Sequence, residues 1–132
     1  MIALDTNVLV RYLVNDDARQ AAAARVLLAE LTSERPGFVC REVTVELVWV
    51  LERAYRFSRD RIATVLDELV ATEELVLEAA GDVARAARGY RQGRADFSDL
   101  MISAAARRSG ALPLYTFDRR AARVEGAELV GD

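Results

Sequence analysis

Four acidic residues stand where carboxylates could do chemistry: Asp5, Glu46, Asp99 and Asp118, with Asp96 three positions ahead of Asp99. Each lies in or beside an apolar run. Asp5 ends Ile2-Ala3-Leu4, Glu46 is flanked by Val43, Val45, Leu47 and Val48, Asp99 is surrounded by Phe97, Leu100, Met101 and Ile102, and Asp118 follows Leu114-Tyr115-Thr116-Phe117. A bare carboxylate in such surroundings is costly unless something positive meets it. Gathered in one place, these groups repel, and a divalent cation removes the conflict. Mg²⁺ takes hard oxygen ligands at about 2.0–2.1 Å and reaches out to substrate phosphates. One or two such ions can activate a water, clamp phosphate oxygens and stabilise the leaving oxygen. The chemistry indicated is phosphodiester hydrolysis.

What the chain lacks narrows the choice. It has no histidine, and all 18 basic residues are arginine. A Ser-His-Asp triad, a Cys-His nucleophile, a Schiff-base lysine and a Walker lysine each lack a required part. Cys40 is the single cysteine, so it has no internal disulfide partner and no thiolate partners for zinc; within Phe38-Val39-Cys40 it reads as a small core residue. Each acid also has an ordinary structural reading. Asp5, Thr6 or Asn7 can cap a helix, as can Asp96 or Ser98, and Glu46 can pair with Arg41 or Arg53.

The elements that must position these groups alternate between strand and helix. Ile2 to Leu4 reads as a buried strand, followed by a helix with Val8, Leu9, Tyr12 and Leu13 at helical spacings. A helix over Ala18–Leu31 is expected to face inward with Ala22, Val26, Leu27 and Leu31. Phe38-Val39-Cys40 is a short strand, Glu42–Tyr55 a helix carrying Glu46, and Ser58 opens a helix with an Ile62, Val65, Leu66, Leu69 stripe. Glu74–Glu78 reads as a strand, Asp82–Gln92 as a helix ended by Gly93, and Asp96–Ser109 as a helix closed by Gly110 in a left-handed C-cap position. Leu112–Tyr115, a short basic helix Arg119–Arg123 and Glu128–Val130 complete the chain. The alternation predicts an α/β fold with a central parallel sheet covered by helices. In such a sheet the carboxyl ends of the strands share one edge, which brings Asp5 and Asp118 towards each other.

At 132 residues, just over half hydrophobic, the chain is expected to form one domain over 1–132 with a sizeable core. No segment approaches the roughly 18 uninterrupted apolar residues of a membrane span, and no basic leader precedes an apolar core. A cytoplasmic protein is expected.

Taken in order, Leu4-Asp5-Thr6-Asn7-Val8-Leu9, Glu46-Leu47-Val48-Trp49-Val50-Leu51, Asp96-Phe97-Ser98-Asp99-Leu100-Met101-Ile102 and Thr116-Phe117-Asp118 resemble the PIN-domain ribonucleases. Among these, the chain is similar to the VapC-type toxins of type II toxin–antitoxin pairs. The resemblance implies a three-layer α/β/α fold and a metal-dependent endoribonuclease in which Asp5, Glu46 and Asp99 bind Mg²⁺ or Mn²⁺. It implies Asp118 as a fourth acid, acting directly or through water, and Asp96 as an additional acidic position. Thr6, Asn7 and Thr116 would orient the carboxylates or their waters by hydrogen bonds. Homodimerisation and a cognate VapB-type antitoxin are implied as well. One departure is Arg119-Arg120-Ala121-Ala122 after Asp118, which lacks the aromatic residue common there in the family.

The net charge of −3 does not announce a polyanion ligand. Yet Arg85, Arg88, Arg91 and Arg94 recur every three residues towards Asp96, and Arg119, Arg120 and Arg123 follow Asp118. These arginines are candidates for contacts with RNA phosphates, against the alternative of a solvated helical face. Trp49 is either a partner-binding anchor or core and dimer packing. A two-component receiver domain would need a lysine, and a haloacid dehalogenase-type phosphatase would need an aspartate where Asn7 stands. The alternatives left are a PIN-like nuclease outside any toxin–antitoxin pair, and a non-catalytic PIN-like binding module.

Overall fold

The computed structural model describes residues 1–131. In chain order the elements are β1 Ile2–Ala3, α1 Thr6–Leu13, α2 Ala18–Ala29, β2 Gly37–Val39, α3 Arg41–Arg53, α4 Arg59–Ala71, β3 Leu75–Leu77, α5 Ala80–Arg91, α6 Phe97–Arg108, β4 Leu114–Thr116, a 3₁₀ turn Ala121–Arg123 and β5 Ala127–Leu129. All strand pairs are parallel. β2 lies between β1 and β3, with Phe38 opposite Ala3 on one side and Val76 on the other. β4 pairs with β5, Tyr115 opposite Glu128.

The α/β class and the parallel pairing are as expected, but among the described residues the sheet is in two pieces, three strands and two. The strands are also shorter than the apolar runs suggest. Pro113 has no N–H to give a ladder, and β4 accordingly begins at Leu114. At β2 the ladder begins at Gly37, where an added Cβ would meet Leu4 Cδ1 at 2.8 Å and Leu31 Cδ1 at 3.0 Å. Only glycine lets β2 lie that close to its neighbours.

The largest buried side chains are Tyr90, Phe97, Leu9, Leu47, Leu51, Ile62, Leu66 and Met101, drawn from α1, α3, α4, α5 and α6. Burying each of the aliphatic ones contributes about 1.5–3 kcal/mol. On α3 the buried face is Val43, Thr44, Leu47, Val48 and Leu51. On α2 the inward residues are Ala21 and Ala24, not the expected Ala22 and Val26, both of which are exposed, while Leu27 and Leu31 are half-buried. Small side chains let α2 sit close to α1, and spacing among larger residues picked the wrong face. Helix α5 starts two residues earlier than expected, after Ala79 in the left-handed region at φ 55°. Gly110 closes α6 as expected, at φ 67°, with its N–H donating to Arg107 O at 3.0 Å.

Candidate functional site

Asp5 follows β1 and caps α1, its Oδ1 accepting from the Thr6 N–H at 2.7 Å. The capping role is therefore realised, and a second carboxylate oxygen remains for other work. Glu46, just before the middle of α3, lines a cavity of about 260 Å³ that Asp5, Thr6 and Asn7 also line. Neither arginine proposed as its partner pairs with it. Arg41 bonds Asp82 and the Met101 carbonyl, and Arg53 stacks on Trp49. Trp49 itself is exposed, which removes it from the core.

The remaining acids form a second group. Asp96 precedes α6 and Asp99 lies in its first turn, while Asp118 opens the turn after β4. Burial pushes the Asp99 carboxyl above its ordinary value, and the negative charges of Asp96 and Asp118 push it further, with Arg120 offsetting part. Asp118 Oδ1 accepts from the Arg120 and Ala121 N–H groups at 2.8 and 3.3 Å, and Thr116 Oγ1 accepts from the Asp118 N–H at 3.0 Å. Thr116 thus fixes the turn that presents Asp118. Asp96 receives Arg59 at 3.4 Å and Arg120 at 4.0 Å.

Glu46 of the first group and Asp99 of the second lie on adjoining helices. Arg41 of α3 donates to the Met101 carbonyl of α6 at 2.9 Å, and α3 packs on α6. Within the described residues, however, no three acidic or cysteine side chains stand close enough together to hold a metal ion. The expected apolar setting also applies less widely than the sequence suggests. Asp5, Glu46, Asp96 and Asp118 are exposed, and only Asp99 is partly buried. Carboxylates in water relieve their repulsion by standing apart.

The PIN domain family model matches residues 2–127. The chain belongs to the PIN domain family. Its strands and helices are accordingly those of the three-layer α/β/α PIN fold. A relative from Aquifex aeolicus (strain VF5), named VapC ribonuclease, is 27% identical over 120 residues, covering 91% of this chain and 89% of that protein.

In this PIN domain the donor atoms suit a hard cation. Every candidate ligand is an oxygen, the set that Mg²⁺ and Mn²⁺ take. Thr6, 5% exposed, has an Oγ1 buried with no hydrogen-bond partner beside Asp5. Asp99 carries negative neighbours that Arg120 only partly offsets.

The arginines divide. Arg91 is committed to α4, bonding Asp60 at 3.0 Å, Asp67 at 3.2 Å and Thr64 Oγ1 at 2.8 Å, so its donors are spent on packing. Arg85, Arg88 and Arg94 line a groove between α5 and α6, whereas Arg119 is exposed in the turn beyond Asp118. Sequence reading missed two further residues. Asp82, buried, receives Arg41, Arg108 and Arg85. Arg59 donates to the Tyr90 and Ala95 carbonyls at 2.9 Å each and lies 4.4 Å from the Tyr90 ring centroid, pinning the segment that carries Asp96. Only the Arg85–Asp82 spacing was visible locally; the other contacts cross between elements.

Proposed function

We propose that this protein is a metal-dependent endoribonuclease and the toxin of a VapBC-type toxin–antitoxin pair. The reading is carried by the placement of Asp5 and Glu46 on one cavity and of Asp99 in the first turn of α6, the helix packed on α3, with Asp96 just before it and Asp118 in the turn after β4. The similarity to a protein named VapC ribonuclease supports it. Asp5, Glu46 and Asp99 would hold Mg²⁺ or Mn²⁺, with Asp118 and Asp96 at the margin. When bound, the cation supplies a water of lowered pKa and positive charge against the phosphate.

The protein's own groups have separable tasks in this proposal. Asn7 and the Thr6 hydroxyl orient the Asp5 side of the site, Thr116 sets the Asp118 turn, and Arg59 holds the chain entering α6. A homodimer acting on RNA in the cytoplasm, with a cognate antitoxin as inhibitor and 1–132 as one domain, belongs to the same reading.

Total cellular RNA incubated with the purified protein and Mg²⁺, Mn²⁺ or EDTA tests it, beside Asp5→Ala. The expected products carry 5′-phosphate ends, require the cation and disappear in the variant. Equal cutting in EDTA overturns the mechanism.

A further inference from the structure

A groove of about 1080 Å³ runs between α5 and α6 and is closed on its third side by Arg123, Val124 and Glu125. Six arginines border it: Arg85, Arg88, Arg94, Arg107, Arg108 and Arg123. The single acid among its lining residues is Glu125. On a chain of net charge −3, this concentrates positive charge on one face. Gly89 and Leu100 form part of the floor, where an added Cβ on Gly89 would stand 3.3 Å from Leu100 Cδ2, so the glycine keeps the two helices close beneath the arginines.

The guanidiniums are not equivalent. Arg85 and Arg108 bond Asp82, and Arg107 donates to the Glu125 carbonyl at 3.2 Å. Arg88, Arg94 and Arg123 have no ion pair among the described residues, and all three are exposed. The groove meets α6 from Leu100 to Arg108, so it begins one residue beyond Asp99 and follows the helix away from the acids. Arg94 stands at the same end, two residues before Asp96. Helix α6 has 12 residues, a length of about 18 Å, enough for several phosphates of an extended strand.

We propose that this groove is the track for the sugar–phosphate backbone of single-stranded RNA leaving the scissile bond, with Arg88, Arg94 and Arg123 each neutralising a phosphate. The proposal rests on the nuclease reading and adds where the rest of the substrate lies. Guanidinium forks match phosphate oxygens. With no aromatic side chain in the lining, the track holds backbone without reading bases.

The test is fluorescence anisotropy in EDTA with labelled oligouridylate of about twelve nucleotides, comparing wild type with the Arg88→Gln, Arg94→Gln, Arg123→Gln triple variant. Log affinity against log salt should be shallower in the variant by about 2, because each single-strand phosphate contact contributes about 0.7 to the slope. Affinity at low salt should fall about tenfold or more. Matching thermal midpoints establish that the variant is folded, and the three single variants should each lose about 0.7 of slope, a third of the triple variant's loss. Unchanged slope and affinity overturn the track. Polyglutamate losing affinity to the variant while oligouridylate does not overturns it in favour of an acidic protein partner. RNA cleavage by wild type with Mg²⁺ is scored separately. Wild type that cuts, with an unaltered variant slope, overturns the groove alone. Groove-dependent binding without cutting supports the track and rejects the nuclease reading.

Discussion

Thr6 Oγ1 is buried next to Asp5 without a hydrogen-bond partner among the described residues. An unpaired buried hydroxyl costs about 1–3 kcal/mol, and Thr6 sits where α1 begins, a position that needs no hydroxyl because Asp5 already caps the helix. Replacing it with valine keeps the shape and removes the unsatisfied atom. In EDTA, Thr6→Val should therefore be as stable as wild type or more stable by about 1 kcal/mol, read from urea midpoints. If the hydroxyl steadies the Asp5 side of a cation site, the same variant should respond less to Mg²⁺ than wild type. A variant that loses stability in EDTA and keeps the full Mg²⁺ response would show that the hydroxyl serves the fold. Tyr90 is the contrasting case: buried deep in the core, its hydroxyl donates to Glu52 at 2.6 Å, and burial together with that carboxylate raises its pKa far above ordinary. That hydroxyl has its partner, so it marks packing.

At the scale of elements, Asp82 joins three helices. It sits on α5, 3% exposed, and receives Arg41 of α3 at 2.9 Å and Arg108 of α6 at 2.8 Å. The Arg108 hydrogen bond, with its charge and Arg41, holds the Asp82 carboxyl below the ordinary value despite burial. A depressed carboxylate stabilises the fold fully above its unfolded pKa and loses that contribution as pH falls through the lower folded value, so the effect belongs below about pH 4. Asp82→Asn should cost about 2 kcal/mol at pH 7, short of a fully buried pair because Arg85 and Arg108 keep much of their water. The variant should also show a flatter acid limb in urea midpoints taken from pH 6 downward; an unchanged limb would remove Asp82 from the acid response. This clamp also marks where sequence reading ends. Helices and strands were legible because apolar spacing and Gly110 are local signals, whereas the apolar neighbours of the acids in the chain foretold a buried setting that only Asp99 partly has, because burial depends on which helix face meets the core. Arg41, Asp82 and Arg108 meet across 41 and 26 positions, and α2's true face rests on Ala21 and Ala24, too small to register as a stripe. Arg91 had the right spacing for the groove and the wrong neighbours, because Asp60 and Asp67 of α4 claim it.

Across the whole molecule, charge is sorted: acids at one end of α6, unpaired arginines along its flank. Placing Asp99 partly buried and near the negative charges of Asp96 and Asp118 works against the fold, since burial first and then those charges raise its carboxyl. A raised carboxylate favours the folded state when protonated and opposes it as pH climbs past its unfolded value, so at neutral pH the ionised Asp99 is a destabilising charge. Asp99→Asn should accordingly raise the thermal midpoint in EDTA. A cation that binds only the folded protein acts in the opposite sense on wild type, contributing about 2.7 kcal/mol at a hundredfold excess over its Kd, or a rise of about 10 °C for a chain of this size. Mg²⁺ titrated into wild type should produce that rise and Asp99→Asn should lose most of it, so the more stable protein without the ion becomes the less responsive one with it. Parallel shifts in both proteins would place the cation somewhere other than Asp99. A variant less stable than wild type in EDTA would show that Asp99 holds the fold together as an ordinary structural acid.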